Sequence, residues 1–150
     1  MRTVAIIPAF NEAQALPAVL SALRQQVPEH AVIVIDDGST DDTWPEIQRL
    51  AADDSRIRGI RLRRNFGKAA ALSAGFAAAV GEFIITLDGD LQDDPREIPH
   101  FLSAIENQLD VVSGWKKVRY DSWHKVFSSR IFNWLVSRLT GVSLHDHNCG

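Results

Sequence analysis

Asp88 and Asp90, separated only by Gly89, stand where an apolar run, Phe83-Ile84-Ile85, gives out into Thr86-Leu87-Asp88-Gly89-Asp90-Leu91-Gln92-Asp93-Asp94-Pro95. In an extended chain side chains repeat every two residues, so Asp88, Asp90 and, if the extension continues, Gln92 form a row of oxygen ligands. Adjacent carboxylates repel unless one is protonated or a cation lies between them, and hard oxygen donors suit Mg²⁺ or Mn²⁺. An ion held by few protein oxygens keeps positions open for a phosphate. The structural alternative is a turn at Asp88-Gly89 and a helix cap at Asp94-Pro95.

The elements that must position these acids follow from hydrophobic pattern. Thr3 to Pro8 and Ala31 to Ile35 are short apolar runs, as expected of strands buried on both faces of a parallel sheet. Ile57 to Leu62 and Phe83 to Leu87 read as third and fourth strands, and Val111 to Gly114 as a fifth. Between them, Leu16, Val19, Leu20 and Leu23 have helical spacing, with Pro17 tolerable only near the helix start. Helices are also predicted from Thr40 or Asp42 to about Ala52, over the alanine-rich Gly67 to Val80, and from Pro95 to Gln108. Strands alternating with helices imply a mostly parallel sheet with helices on both faces, whose ligands bind beyond the carboxyl ends of the strands. Pro8 to Glu12, Asp36 to Ser39, Arg63 to Lys68 and Asp88 to Gln92 are therefore expected on one edge.

With 150 residues and 45% apolar composition, the chain can bury one core, and a single domain is expected. Residues 1–114 carry 10 basic and 17 acidic groups, whereas 115–150 carry 6 basic and 2 acidic. An acidic body is thus joined to a basic tail, and the body would repel a nucleic-acid backbone. The single cysteine, Cys149, excludes an internal disulfide framework; with no leader-like segment before Thr3, a reducing compartment is expected. No apolar run approaches the length of a membrane span. The stop at Asn148-Cys149-Gly150, without a closing element, predicts a truncated piece of a longer protein, with any membrane anchor beyond residue 150.

Common nucleotide motifs do not fit. A Walker A loop ending at Gly67-Lys68 would need glycine at Leu62 and serine or threonine at Ala69. Pro8-Ala9-Phe10-Asn11 after the first strand is not a Gly-rich dinucleotide fingerprint.

Ile7-Pro8-Ala9-Phe10-Asn11-Glu12, Ile35-Asp36-Asp37-Gly38-Ser39-Thr40-Asp41-Asp42-Thr43, Arg64-Asn65-Phe66-Gly67-Lys68 and Asp88 to Pro95 occur in this order in family 2 glycosyltransferases, which the chain resembles over essentially its whole length. Leu91-Gln92-Asp93-Asp94-Pro95 and Asp146-His147-Asn148-Cys149-Gly150 resemble the dolichol-phosphate mannose synthase and bacterial polyprenyl-phosphate glycosyltransferase branch. The resemblance implies a GT-A type, Rossmann-like α/β fold, a UDP- or GDP-linked sugar donor and a polyprenyl phosphate acceptor. It implies that Pro8, Phe10, Asn11 and Glu12 lie beside the base and ribose, and that Asp37 is the acidic contact to the nucleoside. Gly67, Lys68 and Gly89 complete the expected donor site with Asp88 and Asp90. Asp88, Asp90 and Gln92 are the expected catalytic, metal and diphosphate residues. Each has a structural alternative: Pro8 ends a strand, Asp36 to Ser39 form a turn and cap, and Lys68 neutralises the acidic edge.

Within the basic segment 115–140, Trp123, Val126, Phe127, Ile131, Trp134, Leu135 and Leu139 follow helical spacing, with Lys125, Arg130 and Arg138 among them. Such a helix packs on the protein or lies at a membrane interface, where aromatics enter the headgroup region and basic groups meet anionic lipid. Lys116, Arg119, Lys125 and Ser129, with Asp146 shaping the site, are expected at the acceptor phosphate. Inverting transfer at the cytoplasmic membrane face is the expected activity. The alternatives are a family 2 enzyme using a polysaccharide or glycan hydroxyl, and a phosphoacceptor receiver-like signalling domain; the latter expects its acidic pair after the first strand, where Pro8-Ala9-Phe10 stands.

Overall fold

The computed structural model describes residues 2–105 and 109–114. Four parallel strands, β1 (Thr3–Ala9), β2 (Ala31–Asp36), β3 (Ile57–Arg61) and β4 (Phe83–Thr86), form one sheet in the order β3-β2-β1-β4. Helices α1 (Leu16–Gln26), α2 (Thr43–Asp53) and α3 (Lys68–Ala78) connect them in turn. A 3₁₀ turn (Pro95–Glu97) leads into α4 (Ile98–Ile105). The chain divides into two compact units, Met1–Leu102 and Ser103–Gly150; the sheet and α1–α3 belong to the first.

The apolar runs occupy the two central strands because each has a covered face on both sides. On one face Ala5, Ile7 and Ala9 of β1 and Val32 and Val34 of β2 pack with Leu16, Val19, Leu20 and Leu23 of α1, Ile47 of α2 and Ile98 of α4. On the other, Val4, Ile6, Ile33 and Ile35 pack with Ala71 of α3. Each fully buried isoleucine contributes roughly 1.5–3 kcal/mol through removal of apolar surface from water. The small residues of α3 allow close approach: a Cβ on Gly75 would lie 2.5 Å from Ile6 Cγ2 and 2.9 Å from Ile35 Cδ1.

The helix starts explain the spans. Pro17 lies in the first turn of α1, where its missing N–H is not needed. For α2, Asp41 rather than Thr40 or Asp42 supplies the side-chain acceptor, its Oδ1 taking the Thr43 N–H at 3.0 Å. Asp94 caps the 3₁₀ turn, accepting from the Arg96 N–H at 3.0 Å, so this part of the acidic cluster is the helix start that the structural alternative predicts.

Three expectations are corrected. β1 runs through Pro8 to Ala9, since Pro8 still sits in register with Ile35. Val111 to Gly114 form no strand; Val111 is 75% exposed and no ladder of the described sheet includes these residues. Extended structure stops at Thr86: the chain turns at Gly89 and Asp90, and Leu91 has φ +64°, so strand alternation does not align Gln92 with Asp88 and Asp90. Local hydrogen bonds cause the turn, because Asp93 Oδ2 accepts the Asp88 N–H at 2.8 Å and Asp90 Oδ1 the Gln92 N–H at 2.9 Å.

Candidate donor-binding site

All four loops lie beyond the carboxyl ends of parallel strands, and long-range hydrogen bonds stitch them together. The Asp37 N–H donates to the Ala9 carbonyl, continuing the β1–β2 ladder one step past β2. Beyond it, Asn11 N–H donates to Ser39 Oγ at 3.0 Å and Glu12 N–H to Thr43 Oγ1 at 2.9 Å, while Asn11 Oδ1 accepts the Thr40 N–H at 2.9 Å. Asn11 makes these bonds from the left-handed region, φ +58°, which asparagine tolerates better than most residues. The third loop is held by Asp37, whose two oxygens accept the N–H groups of Phe66 and Gly67 at 2.8 and 2.9 Å. Gly38 permits the contact: at φ +69°, its absent Cβ would stand 2.2 Å from the Arg64 carbonyl carbon.

The edge so built contains an open cleft of about 240 Å³. Pro8, Phe10 and Glu12 contribute from the first loop and Asp37 from the second. Gly67 and Lys68 contribute from the third, and Asp88, Gly89 and Asp90 from the fourth. Nine of the ten residues expected at the donor therefore meet at one cleft. Asn11 is outside its lining, engaged in joining loops, and so is Gln92. The cleft adds Ala9 and Asn65. Asn65 was legible as a polar residue of the loop entering α3; its Oδ1 accepts the Gly67 N–H at 3.0 Å. Ala9 carries no chemical signal and is there because β1 continues through it.

The cleft is electrostatically divided. Lys68 Nζ lies 2.6 Å from Asp88 Oδ1. Glu12 has its pKa raised above the usual carboxylate value by burial, and further by the charges of Asp90, Asp41 and Asp88. Phe66 is flanked by guanidinium groups at the same loop, Arg64 at 4.8 Å and Arg63 at 5.8 Å from its centroid. Four carboxylates line the cleft. Asp37 is engaged with the Phe66 and Gly67 N–H groups and Glu12 is disfavoured as an anion, which leaves Asp88 and Asp90 as donors that fit a hard divalent cation. Among the described residues no three Asp, Glu, His or Cys side chains form a ready-made metal cage. Mg²⁺ habitually takes one or two carboxylates and completes its shell with water and substrate phosphates, which is what such a pair offers.

Lys116, Arg119, Lys125, Ser129 and Asp146, and the basic segment 115–140, lie outside the described residues. No helix among the described residues is long and apolar enough to cross a membrane.

Known proteins resemble this chain along most of its length. An undecaprenyl-phosphate 4-deoxy-4-formamido-L-arabinose transferase from Aeromonas hydrophila is 42% identical over 149 residues, covering 96% of this chain and 46% of the relative. The enzyme of the same name from Proteus mirabilis is 36% identical over 149 residues, with the same coverages. The chain thus spans about half the length of these relatives. A mannosyltransferase from Pyrobaculum calidifontis, solved with GDP-mannose and Mn²⁺, matches at TM-score 0.62 and 26% identity over 75% of this chain and 34% of that one. A glucosyl-3-phosphoglycerate synthase from Mycobacterium tuberculosis, solved with Mn²⁺, UDP-glucose and phosphoglyceric acid, matches at TM-score 0.55 and 25% identity over 69% of this chain and 39% of that one. The parallel sheet, its helices and these neighbours make the fold GT-A type. The model of the family described as glycosyl transferase family 2 matches residues 4–147, which sets aside the signalling-module alternative: this chain belongs to glycosyl transferase family 2.

Proposed function

We propose that this chain carries the donor site of an inverting, metal-dependent glycosyltransferase. It moves a sugar from a UDP- or GDP-linked donor to a polyprenyl phosphate, undecaprenyl or dolichyl, at the cytoplasmic face of the membrane. The observation that carries the reading is the cleft, which joins Phe10, Asp88, Asp90 and Lys68 beyond the carboxyl ends of the strands. The names of the undecaprenyl-phosphate relatives support the acceptor class. The Mn²⁺ and nucleotide-sugars in the two solved neighbours support the donor class and the cation.

In this reading Asp88 and Asp90 hold Mg²⁺ or Mn²⁺ from the protein side. A cation held there would supply positive charge for the leaving nucleoside diphosphate, whose charge grows in the transition state. Lys68 adds a point charge beside it, and the exposed Phe10 ring offers an apolar face at the rim to the base or ribose. Asp37 acts by holding the Phe66-Gly67 backbone in place. A phosphate acceptor, with a second pKa of about 6, arrives largely ionised and makes a strong general base unnecessary.

Calorimetric titration of UDP and GDP, with and without Mn²⁺, tests the donor site on this protein and on Asp90→Ala. One nucleotide should bind only with the metal, and the variant should lose that binding. Binding that is indifferent to Mn²⁺ and to Asp90 would overturn the reading. Transfer by the full-length protein to undecaprenyl phosphate, set against a glycan hydroxyl acceptor, separates the two acceptor classes.

A further inference from the structure

Lys68 is the first residue of α3, and the first turn of that helix holds no acidic side chain. A cation there stands at the positive end of the helix dipole, which opposes it. Helix chemistry alone therefore does not account for this lysine, and its partner must be sought elsewhere. That partner is Asp88, whose side chain is 27% exposed, whereas the lysine side chain is 48% exposed. The neighbouring cations are directed differently: Arg61, at the end of β3, has its Nε 3.2 Å from Asp36 Oδ2, and Arg63 and Arg64 of the loop lie over the Phe66 ring.

An oxygen contacted by an ammonium at 2.6 Å is a poorer ligand for a second cation, because the two like charges would stand within a few ångströms of each other. Resting on the reading that Asp88 and Asp90 take a divalent ion with the donor, we propose that Lys68 is a competing counter-ion. It holds Asp88 against the free metal ion and exchanges that carboxylate for the diphosphate when metal and nucleotide arrive together. The exchange needs only a lysine: its charge is compact and its four-carbon stem flexible, so it can change partners without moving the helix. The diphosphate is the stronger partner because it carries more negative charge than one carboxylate and approaches the same helix N-terminus. Lys68 thereby makes metal binding depend on nucleotide, and the site discriminates against the free ion.

The test separates metal from nucleotide. Free Mn²⁺ is followed by electron paramagnetic resonance during titration of the wild-type protein, Lys68→Met and Lys68→Gln without nucleotide. UDP and GDP are then titrated calorimetrically at saturating Mn²⁺. Both variants should bind Mn²⁺ alone roughly five- to tenfold more tightly, the scale expected from removing a nearby like charge and a partly exposed ion pair. Both should bind the nucleoside diphosphate about tenfold more weakly, having lost a charge-assisted contact. This opposition of sign is the signature of exchange. Unchanged or weakened Mn²⁺ binding in the variants, with wild-type nucleotide binding still metal-dependent, overturns the competition and leaves Lys68 an ordinary diphosphate contact. Absence of metal-dependent nucleotide binding in the wild type overturns the donor-site reading and this proposal together. Circular dichroism and thermal melting should change little, since loss of the partly exposed Lys68–Asp88 pair and relief of a cation at the α3 N-terminus oppose each other.

Discussion

Asp37 grips Gly67 across 30 residues of sequence: its Oδ2 accepts the Gly67 N–H at 2.9 Å while Oδ1 accepts that of Phe66 at 2.8 Å. Only 3% of Asp37 is exposed, so both bonds are partly buried at their acceptor end. Asp37→Ala leaves the Phe66 N–H without its acceptor and the Gly67 N–H with Asn65 Oδ1 alone, which predicts a loss of roughly 1–3 kcal/mol. Chemical denaturation measures it, and nucleotide binding should weaken in parallel because Gly67 and Lys68 line the cleft. Asp37→Asn, which keeps one acceptor oxygen, should lose less. Equal stability of Asp37→Ala and wild type would show that the loop is held otherwise.

The approach of the second and third loops depends on Gly38. An alanine there must adopt a left-handed conformation, at about 1–2 kcal/mol, and its Cβ would lie 2.2 Å from a backbone carbon that cannot yield as a side chain could. Gly67 also has positive φ, +92°, so alanine is strained at both positions, but no atom stands within 4 Å of a Cβ at Gly67; the added clash should make Gly38→Ala lower the thermal midpoint more than Gly67→Ala does. The reverse ranking would refute the argument from close approach.

Glu12 should make stability fall with rising pH. Its pKa is raised above the ordinary 4.5, so the folded state retains a proton that the unfolded chain releases. The resulting stability is fully present below about 4.5 and is lost as pH rises through the raised value. Glu12→Gln should be more stable than wild type at neutral pH and equal to it below the unfolded value. Denaturation curves at pH 3.5 and 7 measure this; a variant gaining nothing at pH 7 contradicts the electrostatic account.

Asp54 should act in the opposite sense. Hydrogen bonding to Arg56, with the Arg24 charge adding to it, lowers its pKa from 3.8 to about 2. Arg24 Nε and Arg56 Nε each lie 2.9 Å from this carboxylate, which ties the ends of α1 and α2 to the start of β3. The stability is present above 3.8 and lost as pH falls through about 2. Asp54→Asn should cost about 1 kcal/mol at pH 7, the upper end for solvent-accessible ion pairs, and progressively less as pH falls toward and below the folded value. A pH-independent cost would point to packing instead.

The sheet was legible because its determinants are local. Continuous apolar runs at Thr3 to Pro8 and Ala31 to Ile35, separated by the 3.6-residue period of Leu16, Val19, Leu20 and Leu23, leave little choice but buried parallel strands and a covering helix. That architecture already places Phe10, Asp37, Lys68 and Asp88 on one edge, and hence nearly the whole cleft. Val111 to Gly114 misled for the same reason: β-branched residues favour a strand, but a strand exists only where a neighbour supplies a ladder.

Tertiary structure decided which side chains line the cleft and which build the loops. Asn11, Ser39, Asp41 and Thr43 look as polar in the sequence as Glu12 or Asp88, yet they spend their groups on one another, joining loops some 28 to 31 residues apart. Gln92 left the row of acids because Asp93 and Asp90 captured nearby backbone N–H groups and turned the chain before it. The side-chain period determines an element from a few neighbouring residues. A hydrogen bond between loops depends on two distant segments meeting at bonding distance, so the sequence by itself determined the edge on which chemistry would gather, and only the folded backbone decided which polar groups were left for a ligand.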